Sequence, residues 1–212
     1  MSIIKHSEQR VAVLIDTQNL YHSAKNLYNS KVNFKNVLEE CVAGRVLVRA
    51  TAYVITTESG DEKAFFEALE KAGIETKTKN LQIFSGGAKK ADWDVGLAVD
   101  AVKLASKIDA LVVVSGDGDF IPLVEYLKSH GVQVEAAAFG RSTSAKLIEA
   151  ADDFIDLDSN PKRFLMMGAR GRQSTPRSRA PRDMENRNHN SETKDAFEEA
   201  PENNSEKESV LE

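Results

Sequence analysis

Residues 112–120 read V-V-V-S-G-D-G-D-F and join a short apolar run to two carboxylates, Asp117 and Asp119, that are separated by one residue. A continuous apolar run of this kind is typical of a strand in a parallel sheet that is covered on both faces. Like charges held so close repel each other, so the pair needs solvent, a helix N-terminus or a metal ion beside it. The stretch therefore predicts a core strand that ends at a candidate site.

The rest of the chain alternates between strand-like and helix-like patterns. Short apolar or β-branched runs predict strands at residues 11–15, 46–55, 75–84, 111–114 and 132–139. Apolar residues at helical spacing predict helices at residues 20–29, 33–42, 61–72, 93–106, 120–129 and 142–150. This alternation predicts a three-layer α/β/α fold with a mainly parallel central sheet.

Composition and charge divide the chain into segments. Its 212 residues, 41% of them hydrophobic, suffice for one globular domain with some chain left over. Beyond Met167 apolar residues are almost absent, so we expect disorder from about residue 162 onward. The predicted segments are an N-terminal extension at 1–9, a folded domain at 10–158, and a tail at 159–212, of which 159–187 holds 8 Lys and Arg against 2 Asp and Glu and 188–212 holds 2 against 8.

The single cysteine and the lack of long apolar runs exclude several classes of protein. One cysteine, Cys41, rules out a disulfide framework and a thiolate zinc cluster, and we expect it in the core. No run approaches the roughly 20 apolar residues of a membrane span, so we expect a soluble cytoplasmic protein without a membrane partner. Neither a P-loop nor a G-x-G-x-x-G motif follows the first strand, which argues against nucleoside triphosphate and dinucleotide binding.

Acidic residues follow two of the predicted strands. Asp16 ends the first strand, and Asp117 with Asp119 follows the fourth. If these strands are neighbours, the carboxylates meet at the carboxyl edge of the sheet, where open parallel sheets bind ligands. Asp94 begins the helix predicted at 93–106, whereas Asp100 lies about 240° further around that helix and cannot share its face. We therefore expect Asp94 in the site and keep Asp100 as a second candidate.

A cluster of carboxylates without paired histidines favours a particular metal and chemistry. Carboxylate oxygens suit Mg²⁺ or Mn²⁺ better than zinc. Such an ion lowers the pKa of a water and stabilises charge on phosphoryl oxygens, which favours phosphodiester chemistry. The alternative is purely structural, because Asp16 and Asp119 each precede a predicted helix and are suited to cap it.

Three motifs follow each other along the chain: L-I-D-T-Q-N-L at 14–20, K-K-A-D-W-D-V-G-L-A-V-D at 89–100 and V-V-S-G-D-G-D-F-I-P-L at 113–123. Together they resemble the NYN domain family in its LabA-like (DUF88) branch. The resemblance covers residues 10–158 and implies a PIN-like, Rossmannoid fold and a metal-dependent endoribonuclease that acts in RNA processing or decay. It implies that the catalytic and metal-binding carboxylates are Asp16, Asp94, Asp117 and Asp119.

The resemblance also assigns supporting roles. Asn19 would orient a ligand or the scissile phosphate, Ser115 would support the carboxylates and the substrate by hydrogen bonding, and Lys90 would contact a phosphate. The chain departs from the family pattern at Ala91-Asp92-Trp93, so Asp92 competes with Asp94 for the metal. The continuation D-V-G-L-A-V-D favours Asp94.

Other residues near these motifs allow two readings. Ser142 is a predicted helix N-cap that could bind a phosphate together with Arg141. Trp93 is either a core residue, which we favour, or a platform for a base.

The expected partner is RNA, most simply single-stranded. The basic part of the tail could capture its phosphates by electrostatic attraction. A non-catalytic RNA-binding or regulatory module on the same fold is the alternative function, and a homodimer is an open alternative to a monomer.

Overall fold

A six-stranded sheet, parallel at every strand pair, forms the centre of the computed structural model. The structure describes residues 3–56, 63–80, 82–83, 89–90 and 92–166. Helices cover both faces of the sheet, which confirms the predicted three-layer α/β/α architecture.

The described elements follow each other in the order that the sequence patterns predict, with several additions. The strands are β1 Arg10–Asp16, β2 Lys31–Val32, β3 Val46–Thr56, β4 Glu75–Asn80, β5 Gln82–Ile83, β6 Lys89–Lys90, β7 Ala110–Val114, β8 Gln133–Ala138, β9 Asp153–Asp156 and β10 Leu165–Met166. The helices are α1 Thr17–Tyr28, α2 Phe34–Val42, α3 Lys63–Lys71, α4 Asp94–Leu104, α5 Ile121–Ser129, α6 Ala145–Ala150 and α7 Pro161–Phe164. Among these described helices, none has the length and apolarity to cross a membrane.

The order of the strands places β1 next to β7. The sheet runs β4-β3-β1-β7-β8-β9, so the chain first builds outward from β1 and then returns to its other side. Ile15 of β1 lies opposite Val114 of β7 in a parallel register, so both strands end at the same level. This is the point at which strand order reverses, where ligands bind in open α/β sheets.

Alternation along β1 divides the core into two layers. Val13 and its neighbours at odd positions pack against α1, α2 and α3, whereas Leu14 packs with Leu97 of α4, Leu127 of α5 and Leu147 of α6. Because the helices cover both faces, the strand is apolar without a polar face, as parallel sheets require. The predicted core position of Cys41 is confirmed, since this residue is fully buried in the layer of α2.

One predicted strand is shorter in the structure, and one edge strand was not predicted. The strand predicted at 75–84 ends at Asn80, and Gln82–Ile83 pair separately, as β5, with the antiparallel strand β6. The edge strand β9 was not predicted, because its sequence D-F-I-D contains only two apolar residues and shows no run. The strand forms nonetheless because it pairs in parallel with β8.

The described fold continues beyond residue 158, the predicted end of the domain, to Met166, the last described residue. Phe164 and Leu165 are buried against the core layer that contains α2, and β10 pairs with β2. A side-chain amide of Asn36 donates to the carbonyl oxygen of Arg163 at 2.7 Å. Burial of Phe164 and Leu165 explains why the fold continues past residue 158. The sequence did not indicate this, because the segment around them is basic. The remainder of the predicted tail lies outside the described residues, so its disorder stays a prediction.

A buried ion pair connects α2 to the sheet at the edge opposite the ends of β1 and β7. Nη1 of Arg45 lies 2.5 Å from Oε1 of Glu135, and both side chains are inaccessible to solvent. Burial tends to raise the pKa of Glu135, but hydrogen bonds from Arg45 and Lys5 outweigh it and hold the pKa below its usual value. The pair spans 90 residues of sequence and joins the loop after α2 to β8.

Candidate active site

Asp16 lies where β1 turns into α1. It is the last residue of the strand and the N-cap of the helix, and its Oδ1 accepts the backbone N–H of Asn19 at 3.1 Å. Its Oδ2 accepts the hydroxyl of Ser115 at 3.2 Å. Asp16 therefore caps α1, as the structural alternative predicts, and is also tied to the strand next to it.

The loop after β7 continues this network. Ser115 is fully buried, and its hydroxyl accepts the backbone N–H of Asp117 at 3.2 Å. Oδ1 of Asp117 accepts the backbone N–H of Asp119 at 3.0 Å and so caps a short 3-10 turn. Oδ1 of Asn19 accepts the backbone N–H of Gly116 at 2.9 Å. Six residues from two neighbouring strand ends, including Asp16, are thus held by one set of hydrogen bonds.

An open pocket of about 230 Å³ lies above this network. Three of its carboxylates come from different parts of the chain: Asp16 from β1, Asp117 from the loop after β7, and Asp94 from the first turn of α4. The residues that line the pocket are Asp16, Gln18, Asn19, Tyr53, Asp92, Trp93, Asp94 and Asp117. The structure therefore brings together the carboxylates at the reversal point of the sheet.

The electrostatics of the pocket follow from the proximity of these carboxylates. Burial raises the pKa of Asp16, and the charge of Asp117 adds to the increase against opposing hydrogen bonds. The pKa of Asp94 is also raised, first by burial and then by the charges of Asp16, Asp92, Asp117 and Asp119. A site in which carboxylates raise each other's pKa gains stability from any cation that enters it.

The donor set suits a hard cation that keeps part of its water shell. All the acidic groups of the pocket are carboxylates, the ligands that Mg²⁺ and Mn²⁺ prefer. Within the described ranges, however, no three His, Cys, Asp or Glu side chains are close enough together to enclose an ion. Magnesium is commonly held by one or two carboxylates together with waters and substrate phosphates. The pocket fits that mode of binding and not a complete protein cage.

Some predicted site residues do not line the pocket. Asp119 is exposed beside it and acts on it through charge. Ser115 lies below the pocket surface, in contact with Asp16. Asp100 accepts the Tyr53 hydroxyl at 2.8 Å and the ammonium group of Lys77 at 2.5 Å, and it is not among the residues that line the pocket.

The loop after β8 is engaged in other contacts. Arg141 forms an ion pair with Asp158 at 3.3 Å, and its guanidinium lies 4.8 Å from the ring centroid of Tyr28. The hydroxyl of Ser142 donates to that of Ser23 at 2.8 Å. The helix predicted from 142 begins at Ala145, so Ser142 belongs to the preceding 3-10 turn. Of Lys90, the structure describes only the backbone, and its side chain lies outside the described part.

Sequence reasoning missed two residues that line the pocket, Gln18 and Tyr53. Gln18 lies in the first turn of α1, two residues after Asp16, and lines the same pocket. Tyr53 lies opposite Asp16 in the register of β1 and β3. Knowledge of that register would have identified Tyr53, but an apolar run does not reveal which strand pairs with which.

Comparisons with known proteins agree with the architecture and the motifs. The chain is 27% identical over 158 residues to the low amplitude and bright protein LabA of Synechococcus elongatus, covering 70% of this chain and 84% of that protein. It is 30% identical over 158 residues to the uncharacterized protein MJ0482 of Methanocaldococcus jannaschii, covering 72% of this chain and 57% of that protein. The chain thus spans little more than half the length of this second relative.

A solved structure shares the fold. The crystal structure of a protein of unknown function, VPA0982 from Vibrio parahaemolyticus, superposes with a TM-score of 0.69 at 31% sequence identity and covers 77% of this chain and 100% of that chain. The family model of the NYN domain matches residues 10–158, which is the range of the predicted resemblance. The chain therefore belongs to the NYN domain family, in its LabA-like branch.

Proposed function

We propose that this protein is a divalent-metal-dependent endoribonuclease that hydrolyses RNA phosphodiester bonds in RNA processing or decay. Its NYN domain suggests a nuclease of the PIN-like superfamily. The observation that carries the proposal is the pocket at the reversal point of the sheet, where carboxylates from β1, α4 and the loop after β7 meet.

The proposed roles follow from the position of each side chain. Asp16, Asp94 and Asp117 would hold Mg²⁺ or Mn²⁺, and Asp119 would add negative charge at the entrance. When bound, such an ion lowers the pKa of a water and offsets the charge that develops on phosphoryl oxygens. Asp92 lines the same pocket and is a second candidate ligand.

The residues around the carboxylates fix their orientation. Ser115 holds Oδ2 of Asp16 and the backbone of Asp117 at the same time. The carboxamide oxygen of Asn19 is occupied by Gly116, so its NH₂ group is the part that can donate to a phosphate. We propose that Asn19 orients the scissile phosphate and that Ser115 positions the carboxylates without touching the substrate.

The test is cleavage of end-labelled RNA in Mg²⁺, Mn²⁺ or EDTA by the wild type and by the Asp16→Asn and Asp117→Asn variants. Asparagine keeps the ability of residue 16 to cap α1, so the first variant should fold. Asp109→Asn is a matched control, because this carboxylate pairs with Arg10 at the opposite edge of the sheet. We expect cleavage by the wild type and the control in either metal. Cleavage in EDTA, or cleavage that survives both site substitutions, would contradict the proposal.

A second candidate function is an RNA-binding or regulatory module without turnover. The feature that favours it is the basic segment 159–187, whose 8 Lys and Arg residues could bind RNA without a metal site. RNA binding by the wild type without cleavage in either metal would support this candidate. The cytoplasmic location and the homodimer stay predictions.

A further inference from the structure

The pocket contains an aromatic wall in an otherwise acidic surface. Four of its lining residues are carboxylates, and none of the described lining residues is a lysine or arginine. A polyanion gains little from such a surface except through bound cations, so part of the affinity must come from a contact that does not depend on charge. We propose that Trp93 is a stacking platform that positions an unpaired nucleobase beside the carboxylates, and that the pocket thereby selects single-stranded RNA. This inference rests on the proposed function and deepens it.

The ring of Trp93 is fixed in place and is not a loose surface side chain. Its Nε1–H donates to the carbonyl oxygen of Val54 at 3.1 Å. The ring packs at a tilt against Tyr53, with centroids 5.5 Å apart, and is only partly buried. A ring that is already held loses little freedom when a base stacks on it, which favours binding. The prediction that Trp93 is a core residue therefore describes only part of its environment.

Gly96 makes room for this ring on α4. A Cβ atom at position 96 would lie 2.6 Å from Cε3 and 2.9 Å from Cζ3 of Trp93, closer than atoms approach each other. Glycine weakens a helix relative to alanine, so its presence in α4 has a cost. The space it leaves is filled by the indole, so the helix backbone supports the ring beside the pocket.

Lys79 supplies a positive charge next to the platform. Its Nζ lies 5.9 Å from the centroid of the Trp93 ring and donates to the carbonyl oxygen of Asp92 at 3.0 Å. The residue is exposed on the edge strand β4. An ammonium group has three donors, so this one can also contact a phosphate of the stacked nucleotide.

Stacking on a side chain requires a base that has left its own stack. Bases inside an RNA duplex are covered by their neighbours, whereas bases of single strands can splay out and stack on aromatic rings. Every base has a π-face, so such a platform tolerates many sequences. The geometry therefore predicts selection for unpaired RNA without strong sequence preference.

Trp93 is the only tryptophan of the chain, so its fluorescence reports on this ring alone. The Asp16→Asn variant of the full chain is titrated in Mg²⁺ with a single-stranded oligoribonucleotide, with the same sequence as a duplex, and with an abasic oligomer of equal length. Binding is followed in parallel by anisotropy of labelled RNA. We expect quenching of the emission by the intact single strand and much less by the duplex or the abasic oligomer. Equal quenching by the abasic oligomer, or binding of the intact strand without quenching, would overturn the inference.

Variants separate stacking from folding and from charge. Replacing Trp93 by Leu should weaken binding of the intact single strand roughly 5- to 100-fold, the range for loss of one stacked base, and leave the abasic oligomer unaffected. Trp93→Phe should restore most of the affinity. Lys79→Gln should weaken both oligomers alike, whereas the control Lys71→Gln, an exposed lysine in the last turn of α3, should change neither. Equal losses for both oligomers in Trp93→Leu would overturn the stacking role.

The two proposals fail in different ways. Cleavage without quenching in the bound state would refute stacking and leave the nuclease in place. Quenching by single strands without cleavage in any metal would refute the nuclease and leave the platform in place. Absence of RNA binding by anisotropy would refute both.

Discussion

Replacement of Ser115 by alanine tests the network below the pocket. The hydroxyl is fully buried, donates to Oδ2 of Asp16 at 3.2 Å and accepts the backbone N–H of Asp117 at 3.2 Å. The variant removes both hydrogen bonds and leaves a buried N–H without that partner. A hydrogen bond to a charged group contributes about 1.5–3 kcal/mol and a neutral one about 0.5–1.5 kcal/mol. We therefore expect the free energy of unfolding to fall by about 2–4 kcal/mol.

The same substitution should also lower activity, because Ser115 positions the carboxylates of the pocket. Ser115 touches the carboxylates and not the pocket surface, so its loss should lower metal affinity or cleavage rate by about 10- to 100-fold, as for other residues that orient ligands. RNA affinity in the presence of saturating metal should change little.

Urea unfolding followed by circular dichroism measures the stability, and metal titration of the cleavage rate measures the second effect. Ser129→Ala is the control, because this exposed hydroxyl makes only local contacts, with the Tyr126 carbonyl at 2.7 Å and with Nδ1 of the adjacent His130 at 3.2 Å. Its free energy of unfolding should change by less than about 0.5 kcal/mol. A loss no larger than the control's for Ser115→Ala would refute the reasoning that this hydroxyl holds the two strand ends together.

Further predictions concern other parts of the molecule. Arg45→Met should lower the free energy of unfolding by about 3–5 kcal/mol in urea, since it leaves the Glu135 carboxylate buried without its main partner, and adding Glu135→Leu should recover most of the loss. The pKa of Glu135 is lowered in the folded protein, so the ionised carboxylate stabilises the fold at neutral pH, and this stabilisation is lost as the pH falls below 4.5, the usual pKa of a glutamate. The free energy of unfolding measured against pH should therefore depend less on acid in the double variant. Gly96→Ala should displace the Trp93 ring and shift its fluorescence, and unchanged emission would contradict the close approach. Truncation after Met166 should leave the melting temperature unchanged but flatten the salt dependence of RNA binding; an unchanged slope would exclude the tail as an electrostatic arm.

The fold was predictable because its information is local. The runs that became β1 and β7 are continuous and apolar, and such strands belong to parallel sheets with helices on both faces. The motif order then identified the family, and the meeting of Asp16 with Asp117 required only that their strands be neighbours. Asp94 was predicted as a site residue because it lies at the start of α4.

The parts that escaped prediction depend on contacts between distant residues. Tyr53 lines the pocket because the register between β3 and β1 places it opposite Asp16. Arg45 contacts Glu135, which lies 90 residues away in the sequence. Phe164 and Leu165 extend the fold because they find a surface on α2 and β2, although the residues around them are basic. None of these partners can be read from periodicity, which describes one element at a time.

The edge strand β4 has a consequence for the behaviour of the protein at high concentration. All six of its residues, E-T-K-T-K-N, are exposed, and its outer side is an edge of the sheet. Exposed edges invite pairing with strands of other molecules, and lysines are a common defence against this aggregation. Lys77 and Lys79 lie on that strand, so Lys79, the side chain that would contact nucleic acid, also helps to keep the molecule from self-association. Substituting both lysines with apolar residues would therefore endanger solubility as well as binding.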